Sequence, residues 1–525
     1  MRRIKSISKI ERALERTFYQ LRAWREPIVN LQRLLQRLKV ISSIGGLDRE
    51  IAGIASNHRV VKPGYTFICY EGVKVDGHAF IPQAIQNGAI AIVAEKLPPQ
   101  DLPAEMAYIQ TPNGRIALSL IAANWYGNPA SRLKLIGITG TNGKTSTAHL
   151  AHAIFKTAGM SSAIMGTVSH CYGDVSIPAA TTTPDPLQLH ELFRQIADAE
   201  MDYVIMETSS QGLAQHRLAG LTFETAVFTN LTQDHLDYHQ TMEDYFDAKL
   251  MLFQQVQPEH GLAILNIDDI ASNEIQAVCQ NAVSPPQILT YGVENQANLS
   301  VCDVESTLKG LAFTAMTPQG KIRATLHLLG SYNLYNALAA IGVGLHHGCS
   351  LDAIKAGLES TVVPGRFELV DRGQDFAVVV DYAHTPDGLE NLLTAARKIT
   401  NGRLICVFGC GGDRDRGKRP KMGKISASIA DHSVITSDNP RTEDPDQIIT
   451  DIVAGLPNGT NYDLIPNRRK AIDHAVGLAE VGDLIAIAGK GHEPYQEING
   501  VRFDFDDREV AAESLERLRF GSEKV

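Results

Sequence analysis

The central part of the chain is defined by the stretch Leu133-Lys-Leu-Ile-Gly-Ile-Thr-Gly-Thr-Asn-Gly-Lys-Thr145. Its apolar residues up to Ile138 are typical of a buried strand, and the residues after the glycine turn have helical spacing. Backbone N–H groups at the start of such a helix bind phosphate oxygens, Lys144 can reach the terminal phosphates, and Thr145 can bind Mg²⁺. The stretch therefore predicts a nucleoside-triphosphate site. A strict Walker A motif would have glycine in place of Ile138, so a chance glycine turn is the competing interpretation.

Similar strand-like runs on both sides of this stretch predict an α/β fold. One series lies at residues 203–206, 225–228 and 262–265, and a second lies at 376–380, 404–408, 432–436 and 484–487. Helix-length segments separate the runs, so both series predict parallel sheets with right-handed crossovers. A smaller α/β module, with runs at 65–69 and 89–93, precedes them. Because ligands bind at the carboxyl ends of parallel strands, we expect the chemistry in the loops after these runs.

The composition limits the class of protein. A length of 525 residues predicts three or four domains, and 44% hydrophobic with 21% charged residues supports packed cores. The formal net charge of −10 argues against nucleic acid as a partner. Seven scattered cysteines are typical of reduced thiols in a cytoplasmic protein. No apolar run reaches the ~18 residues of a transmembrane segment. The basic N-terminal segment lacks the apolar core of a secretory signal, which leaves a surface helix, a membrane-surface helix or a disordered arm.

Candidate metal ligands follow the middle series of strands. Glu207 closes the run at 203–206, where a carboxylate can meet a phosphate-bound Mg²⁺. His235 and His239 have i, i+4 spacing, but no HExxH frame accompanies them, which argues against a zinc protease. As isolated residues, such histidines are more often helix caps or core histidines than ligands.

Three loops in the second series have clustered charges. Four cations lie in the glycine-rich loop Gly409-Cys-Gly-Gly-Asp-Arg-Asp-Arg-Gly-Lys-Arg-Pro420. Arginine forms bidentate pairs with phosphate and carboxylate, although a solvated loop would have the same composition. Two further loops follow later strands: Ser437-Asp-Asn-Pro-Arg-Thr-Glu-Asp-Pro445 and Gly489-Lys-Gly-His-Glu493. Both are also typical of ordinary turns.

The order of the motifs resembles the Mur ligases, the ATP-dependent amide ligases of peptidoglycan precursor synthesis. The motifs are Thr139-Gly-Thr-Asn-Gly-Lys-Thr145, Glu207-Thr-Ser-Ser210, Asn230 with Asp234-His235, Gly330-Ser-Tyr-Asn-Leu-Tyr-Asn336, Gly365-Arg-Phe-Glu368 and Asp381-Tyr-Ala-His-Thr-Pro386. In addition, Asp438-Asn-Pro-Arg441 with Gly489-Lys-Gly-His-Glu493 is similar to the branch that adds meso-diaminopimelate to UDP-N-acetylmuramoyl-L-alanyl-D-glutamate.

The resemblance implies three domains after a basic leader at residues 1–29. They are a UDP-muropeptide-binding domain at 30–132, a central ATP-binding domain at 133–363 and a C-terminal amino-acid-binding domain at 364–525. The expected fold class is α/β, with a P-loop-type parallel sheet in the central domain and a Rossmann-like C-terminal domain. ATP is the expected co-substrate and Mg²⁺ the expected metal, and a cytoplasmic location is expected.

The resemblance also implies roles for single residues around ATP. The implied ATP-binding residues are Gly140, Thr141, Asn142, Gly143, Lys144, Thr145, Asn333, Asn336, Arg366 and Asp381. The implied metal ligands are Thr145, Glu207, His235 and Lys249, and the implied catalytic residues are Lys144, His235 and Lys249. Lys249 falls where the family has a carbamylated lysine (N6-carboxylysine). Carbamylation would turn an ammonium that repels Mg²⁺ into a carboxylate-like ligand.

Two further groups of residues match the family's substrate contacts. Those implied for the UDP-muropeptide are Thr182, Thr183, Ser209, Gln215 and Arg217. Those implied for diaminopimelate are Arg414, Asp438, Asn439, Pro440, Arg441, Gly489 and Glu493. One departure concerns the N-terminal domain, where the family's uridine-binding stretch typically has Asp-Ser-Arg and this chain has Asn57-His-Arg59.

The implied reaction joins an amine to a carboxylate. ATP phosphorylates the D-Glu γ-carboxylate to an acyl phosphate, and the diaminopimelate amine then displaces phosphate to form the amide. The alternatives are the same ligase with L-lysine, a folylpolyglutamate synthetase, and a non-catalytic nucleotide-binding scaffold. The basic loop and Asp438-Asn-Pro-Arg441 argue against the second, and the Lys144, Glu207, His235 and Lys249 set argues against the third. No residue is assignable from sequence as the general base for the amine.

Overall fold

The computed structural model describes residues 28–72, 75–307 and 310–522, with side chains as far as Leu518. The basic leader therefore lies outside the described residues, apart from its last two. Among the described residues, no helix is long and apolar enough to cross a membrane.

A five-stranded sheet forms the N-terminal part of the described chain. Its strands are, in spatial order, Ser42–Ile44, Ala107–Gln110, Ala89–Ala94, Tyr65–Ile68 and Gly53–Ala55, and only the first pairing is antiparallel. Val29–Asn30 pairs with Glu50–Ile51 beside it. The α-helices are Leu31–Leu34, Ile81–Gln86 and Gly114–Trp125. The longest helix buries most of its length because it is alanine- and leucine-rich and packs on the sheet.

The central region is an eight-stranded sheet around the quoted stretch. Its spatial order is Val175–Pro178, Ser169–Tyr172, Ser162–Met165, Tyr203–Glu207, Lys134–Thr139, Thr225–Phe228, Leu262–Asn266 and Gln287–Tyr291. All pairings are parallel except those of the first two strands. The helices of this region are Lys144–Thr157, Pro186–Asp198, Ser210–Ala214, Leu236–His239, Met242–Phe253, Ala271–Gln280, Tyr332–His346 and Leu351–Ser360. The parallel register brings the strand ends at Thr139, Glu207 and Phe228 to one edge.

A three-stranded antiparallel sheet lies against this region. Its strands are Ser300–Thr307, Gly310–Thr317 and Gly320–Leu326. The inner side of the sheet, with Leu311 and Phe313, joins the core formed by the helices Lys144–Thr157 and Tyr332–His346. The patterns considered above did not predict this sheet.

The C-terminal region is a six-stranded sheet. Its spatial order is Glu368–Leu369, Ala377–Asp381, Leu484–Ala488, Leu404–Phe408, His432–Ile435 and Tyr462–Leu464, parallel except for the first strand. Its helices are Pro386–Ile399, Lys418–Ile429, Pro445–Val453, Arg468–Leu478 and Asp507–Ser522, and a hairpin joins Tyr495–Ile498 to Val501–Asp504. The α/β class with parallel sheets is therefore confirmed, and each predicted strand agrees with the structure to within one residue. The domain boundaries themselves stay a prediction.

Candidate active site

The glycine-rich loop has a backbone that only glycine adopts without strain. Lys144 begins a helix of 14 residues. Gly143 before it has a φ of 86°, and an added Cβ would lie 2.3 Å from Asn336 Oδ1. Gly140 has a φ of 148°, and its added Cβ would lie 1.9 Å from Thr229 Oγ1. Both glycines are therefore required, and they leave the helix N-terminus open to an anion.

Thr145, Glu207 and Thr167 form a compact polar cluster beside this loop. Thr145 Oγ1 lies 3.0 Å from each carboxylate oxygen of Glu207. Thr167 donates to the same carboxylate from its backbone N at 2.9 Å and from its hydroxyl at 3.0 Å. Glu207 is the last residue of its strand and is 1% exposed. The structure thus brings together two predicted metal ligands with the oxygen donors that Mg²⁺ prefers.

Two lysines, the half-buried Lys144 and the buried Lys249, lie close to this cluster. Lys144 Nζ donates to the backbone oxygens of Gly140 and Thr141, at 2.8 Å each. Lys249 is 1% exposed, and its Nζ lies 4.0 Å from the centroid of the Tyr245 ring. Burial lowers the pKa of both lysines, and the charge of Lys144 lowers the pKa of Lys249 further. These surroundings favour the neutral amine of Lys249.

Asp234 and His235 lie where the central and C-terminal regions meet. His235 Nε2 is 3.5 Å from Asp234, and burial lowers the pKa of His235 to about 3 although Asp234 opposes that shift. His384 and Lys418 approach the Asp234 carboxylate from the C-terminal region, at 3.8 and 3.9 Å. Burial favours a neutral Asp234, but these three basic neighbours outweigh it and lower the pKa of the carboxyl group.

The two predicted adenine-side asparagines differ in position. Asn333 is fully buried and donates to Leu329 O at 2.6 Å. Asn336 Nδ2 donates to Asn333 Oδ1 at 2.9 Å and lies at the surface of a cavity. Asn336 can therefore contact a ligand in that cavity, whereas Asn333 supports it from behind.

The C-terminal region closes this cavity from the other side. Arg366 Nη2 donates to Thr145 Oγ1 at 3.3 Å, and its guanidinium lies 4.5 Å from the Tyr382 ring centroid. Asp381 ends its strand and accepts two backbone N–H bonds, at 2.7 and 2.8 Å. Burial raises the pKa of Asp381, although the nearby Arg366 opposes this shift.

Most residues predicted for ATP and metal line this one inter-domain cavity of about 630 Å³. Asn142 crosses it at one edge with a 2.6 Å hydrogen bond to Asp387. The predicted residues in its lining are Gly140, Thr141, Asn142, Gly143, Lys144, Thr145, Glu207, His235, Lys249, Asn336, Arg366 and Asp381. The volume and the few convergent polar groups are typical of a site for a small molecule.

The predicted muropeptide residues form one hydrogen-bond network beside the Glu207 cluster. Thr183 Oγ1 accepts from the backbone N of Ser209 at 2.9 Å. Arg217 donates to Gln215 Oε1 at 2.8 and 3.1 Å and to the Thr183 carbonyl. Thr182 and Ser209 line the inter-domain cavity. The five residues are thus adjacent, and two of them reach the cavity where the nucleotide residues lie.

The predicted diaminopimelate residues lie in loops at the carboxyl ends of the C-terminal strands. Asn439 Nδ2 donates to Glu493 at 2.8 Å, and Lys490 donates to both residues, at 3.2 and 3.0 Å. Burial raises the pKa of Glu493, although Lys490 opposes the shift. An added Cβ on Gly489, whose φ is 118°, would lie 2.5 Å from Asp438 Oδ2. Lys490 therefore links Asn439 to Glu493, and Gly489 lies directly beside Asp438.

The two predicted arginines both lie close to Gly411. A Cβ on Gly411 would be 2.9 Å from Arg441 Nη1 and 3.7 Å from Arg414 Cγ. Arg414 is exposed and donates to the carbonyl of Asp413 at 3.0 Å. Pro440 is buried beside Arg441. The lining of the inter-domain cavity does not include the diaminopimelate residues, so they form a separate, neighbouring group.

Known proteins are similar to this chain over most of its length. The family described as the Mur ligase middle domain matches residues 138–344, the Mur ligase glutamate ligase domain matches 365–491, and the Mur ligase family catalytic domain matches 50–126. A protein of Syntrophomonas wolfei named UDP-N-acetylmuramoyl-L-alanyl-D-glutamate–2,6-diaminopimelate ligase is 46% identical over 93% of this chain and 99% of its own. The chain belongs to the Mur ligase family. Mur ligases are ATP-dependent enzymes that form amide bonds, and this chain is such an enzyme.

Two other relatives agree with this membership. A protein of Bacillus velezensis with the same name is 46% identical over 90% of this chain and 95% of its own. A solved structure of a ligase with that name has a TM-score of 0.67 at 33% identity, and the match covers 94% of this chain and all of that one.

Some residues of this Mur ligase site were missed by the sequence analysis or differ from expectation. Lys490 was quoted within its motif but given no role, although a lysine between two glycines at a strand end was a usable signal. His239, four residues after His235, bonds Ser210 at 3.0 Å and is absent from the cavity lining. His58, the departure from the family's pattern, stacks on Phe80 with ring centroids 4.3 Å apart.

Proposed function

We propose that this Mur ligase adds meso-2,6-diaminopimelate to the D-Glu γ-carboxylate of UDP-N-acetylmuramoyl-L-Ala-D-Glu in peptidoglycan precursor synthesis. The observation that supports this most is the group formed by Asp438, Asn439, Arg441, Gly489 and Glu493, which offers a cation and two carboxylates to an amino acid with charges at both ends. The family membership and the names of the relatives, which are 2,6-diaminopimelate ligases, support the same reaction.

The reaction divides into two steps that need different groups. First, the γ-phosphoryl group passes from ATP to the D-Glu carboxylate oxygen, which gives ADP and an acyl phosphate. Then the amine nitrogen attacks the acyl carbon, the bond to phosphate breaks, and the amine loses a proton as the amide forms. Lys144 of the central region and Arg366 of the C-terminal region both line the inter-domain cavity, so they can offset phosphate charge from both domains.

Thr145, Glu207, His235 and Lys249 are the residues proposed to hold Mg²⁺. Oxygen donors and a neutral imidazole fit such an ion, and Mg²⁺ needs few protein ligands because phosphates and water supply the rest. When bound, Mg²⁺ neutralises charge on the transferring phosphoryl group. Thr167 keeps the Glu207 carboxylate in place with two hydrogen bonds.

Lys249 is proposed to act as a carbamate. Its burial and lowered pKa favour the neutral amine, which is the form that adds CO₂. Conversion to an anion would also replace repulsion between Lys249 and Lys144 by attraction. A cytoplasmic location is proposed because ATP and a UDP-linked precursor are available there, and all seven cysteines are free thiols.

A substrate panel tests the proposed function. Purified protein is incubated with ATP, Mg²⁺ and UDP-N-acetylmuramoyl-L-Ala-D-Glu, and ADP release and product mass are followed with meso-diaminopimelate, its LL isomer or L-lysine. We expect turnover that depends on all substrates and is at least about tenfold more efficient with meso-diaminopimelate. Preference for L-lysine would replace the proposed amino acid, and ATP binding without turnover of any acceptor would favour the scaffold.

A further inference from the structure

The loops that contain Arg414 and Arg441 are bonded to one another through their backbones. Gly412 N donates to Asn439 O at 2.9 Å, and Arg441 Nη1 donates to Gly412 O at 2.7 Å. Arg441 itself has a left-handed backbone, with a φ of 51°. The backbone positions of the two arginines are therefore coupled, because each lies in a loop that is bonded to the other loop.

One side chain, Glu443, joins both loops to the protein core. Its Oε1 accepts from the backbone N of Asp413 at 2.5 Å, next to Arg414. The same carboxylate accepts from Arg419 at 2.9 and 3.1 Å and lies 2.9 Å from Arg416 Nη2. The hydrogen bonds from Arg419 lower the pKa of Glu443, so it stays ionised near neutral pH.

Arg419 is fully buried, which is unusual for an arginine at the start of a surface helix. It also donates to Gly411 O at 3.3 Å and to Asp451 at 2.9 Å. A buried guanidinium requires a partner charge, and Arg419 has two, Glu443 and Asp451. Only Glu443 also bonds the backbone of the Arg414 loop.

Asp413 completes the connection in the opposite direction. Its carboxylate accepts two hydrogen bonds from Thr442, one from the backbone N at 3.1 Å and one from the hydroxyl at 2.8 Å. Glu443 therefore holds the backbone of Asp413, and Asp413 holds the residue between Arg441 and Glu443. Such reciprocal bonds fix the distance between the two loops more firmly than a single ion pair would.

We propose that the Arg419–Glu443 pair positions Arg414 and Arg441 for the amino-acid substrate. The pair thereby helps to select diaminopimelate by its distal carboxylate, the group that L-lysine lacks. Glu443 and Arg419 are positioning residues, because they act through the two loops. The inference rests on the proposed function. A carboxylate that two arginines grip requires a set separation between them, and loosening one loop reduces affinity for that substrate without changing phosphoryl transfer.

Steady-state kinetics of Glu443→Ala, Glu443→Gln and Asp451→Ala test the proposal. Asp451→Ala is the matched control, because it removes a carboxylate from Arg419 but leaves the backbone N of Asp413 bonded. We expect Glu443→Ala to raise the KM for meso-diaminopimelate at least about tenfold, with kcat and the KM for ATP within about twofold. Glu443→Gln, which keeps an acceptor for Asp413, should recover part of this loss, and Asp451→Ala should change the KM less than about threefold.

Thermal unfolding of each variant separates positioning from loss of fold. If Glu443→Ala does not fold, Glu443→Asp retains the charge but withdraws the carboxylate by one methylene, and the same rise in KM is expected. An unchanged KM in a folded Glu443 variant, or equal effects of the Glu443 and Asp451 variants, would overturn the proposal. A wild type that does not use meso-diaminopimelate would instead overturn the proposed function.

Discussion

In the central domain, the loop after Lys134–Thr139 offers backbone amides, and the two lysines at the site, one beside this loop and one in the helix Met242–Phe253, contact mainly neutral groups. Lys144 donates to two loop carbonyls, and Lys249 lies over the Tyr245 ring. In the C-terminal domain, the loops after His432–Ile435 and Leu484–Ala488 have side chains that bond one another. Asn439, Lys490 and Glu493 form a closed set of hydrogen bonds. Both sites lie at the carboxyl ends of parallel strands.

This contrast corresponds to what each site is proposed to bind. A triphosphate brings several charges and a metal ion, so cations that contact mainly neutral groups in the protein can pair with it directly. An amino acid is distinguished from its analogues by the separation of its charged groups, so the residues that bind it must be held in place beforehand. The nucleotide site therefore depends on charge, whereas the amino-acid site depends on spacing.

The largest effect should come from removing the buried amine of the nucleotide site. We expect Lys249→Ala to lose at least about a thousandfold in kcat, because the proposed carbamate would help to neutralise the transferring phosphoryl group. Short-chain carboxylic acids should restore part of the activity by occupying the position of the carbamate. The control is Lys156→Ala, which changes an exposed lysine of the neighbouring helix. Wild-type activity of Lys249→Ala without additive would contradict the assignment.

The two sites should also respond separately to an added methyl group. Gly143→Ala places a Cβ 2.3 Å from Asn336 Oδ1, and Gly489→Ala places one 2.5 Å from Asp438 Oδ2. We expect the first to raise the KM for ATP and the second the KM for meso-diaminopimelate, each by roughly ten- to a hundredfold. Gly159→Ala is the control, because Gly159 has a φ of 72° with no atom within 4 Å of its added Cβ.

Equal effects of the two glycine variants on both substrates would contradict the presence of separate sites. If both Gly143→Ala and Gly489→Ala raised the two KM values equally, the substrates would be coupled through domain closure. If Gly159→Ala matched either variant, the backbone strain alone would explain the effect.

The same contrast explains how much could be predicted from the sequence. The parallel strands were predicted to within one residue because strands buried on both faces are continuous apolar runs. Glu207 was predicted as a metal ligand from its place at the end of such a run, whereas the role of Asp438 came from the resemblance to the Mur ligases. The sheet Ser300–Thr307, Gly310–Thr317 and Gly320–Leu326 was not, because one outer strand is exposed and has mixed polarity.

Pairs of interacting side chains that are far apart in the chain could not be predicted from the sequence either. Arg419 and Glu443 are 24 positions apart, and nothing in the composition of either loop indicates that they bond. Asp234 was quoted in a motif without a role, although three basic groups from two domains surround it. The sequence identifies residues at strand ends, but it does not identify which side chains hold two loops together.

An intermediate effect should come from Arg441, one of the two arginines proposed to bind the distal carboxylate of diaminopimelate. Arg441→Ala should raise the KM for meso-diaminopimelate by about tenfold, because pairing a charge with a carboxylate is worth on the order of 1.5–3 kcal/mol. The KM for ATP should not change, since Arg441 is not in the lining of the inter-domain cavity. The control is Arg469→Ala, which removes an exposed arginine paired with Glu513 in the same domain. A KM for meso-diaminopimelate that stays at the wild-type value would show that Asp438-Asn-Pro-Arg441 is a turn without a binding role.

The smallest expected effect is on the stability of the fold. It depends on whether buried polar side chains away from the two sites have hydrogen-bond partners. In the C-terminal domain, Arg468 and Asp507 are both buried and pair at 2.7 Å. In the central domain, His170 and His190 are each 1% exposed, and neither ring nitrogen has a hydrogen-bond partner among the described residues. Burial lowers the pKa of each histidine to about 4, against about 6.5 in an unfolded chain.

The sign of the pH dependence follows from these pKa values. Between pH 6.5 and 4 the unfolded chain binds protons at these histidines and the folded chain does not, so stability is full above about pH 6.5 and falls as the pH is lowered. At pH 5 each histidine should destabilise the fold by about 2 kcal/mol relative to pH 7. His190→Leu should therefore make denaturant unfolding of the central domain less sensitive to acid, whereas His260→Leu, at an exposed position, should not. Equal acid sensitivity of the wild type and His190→Leu would mean that other groups cause the loss of stability.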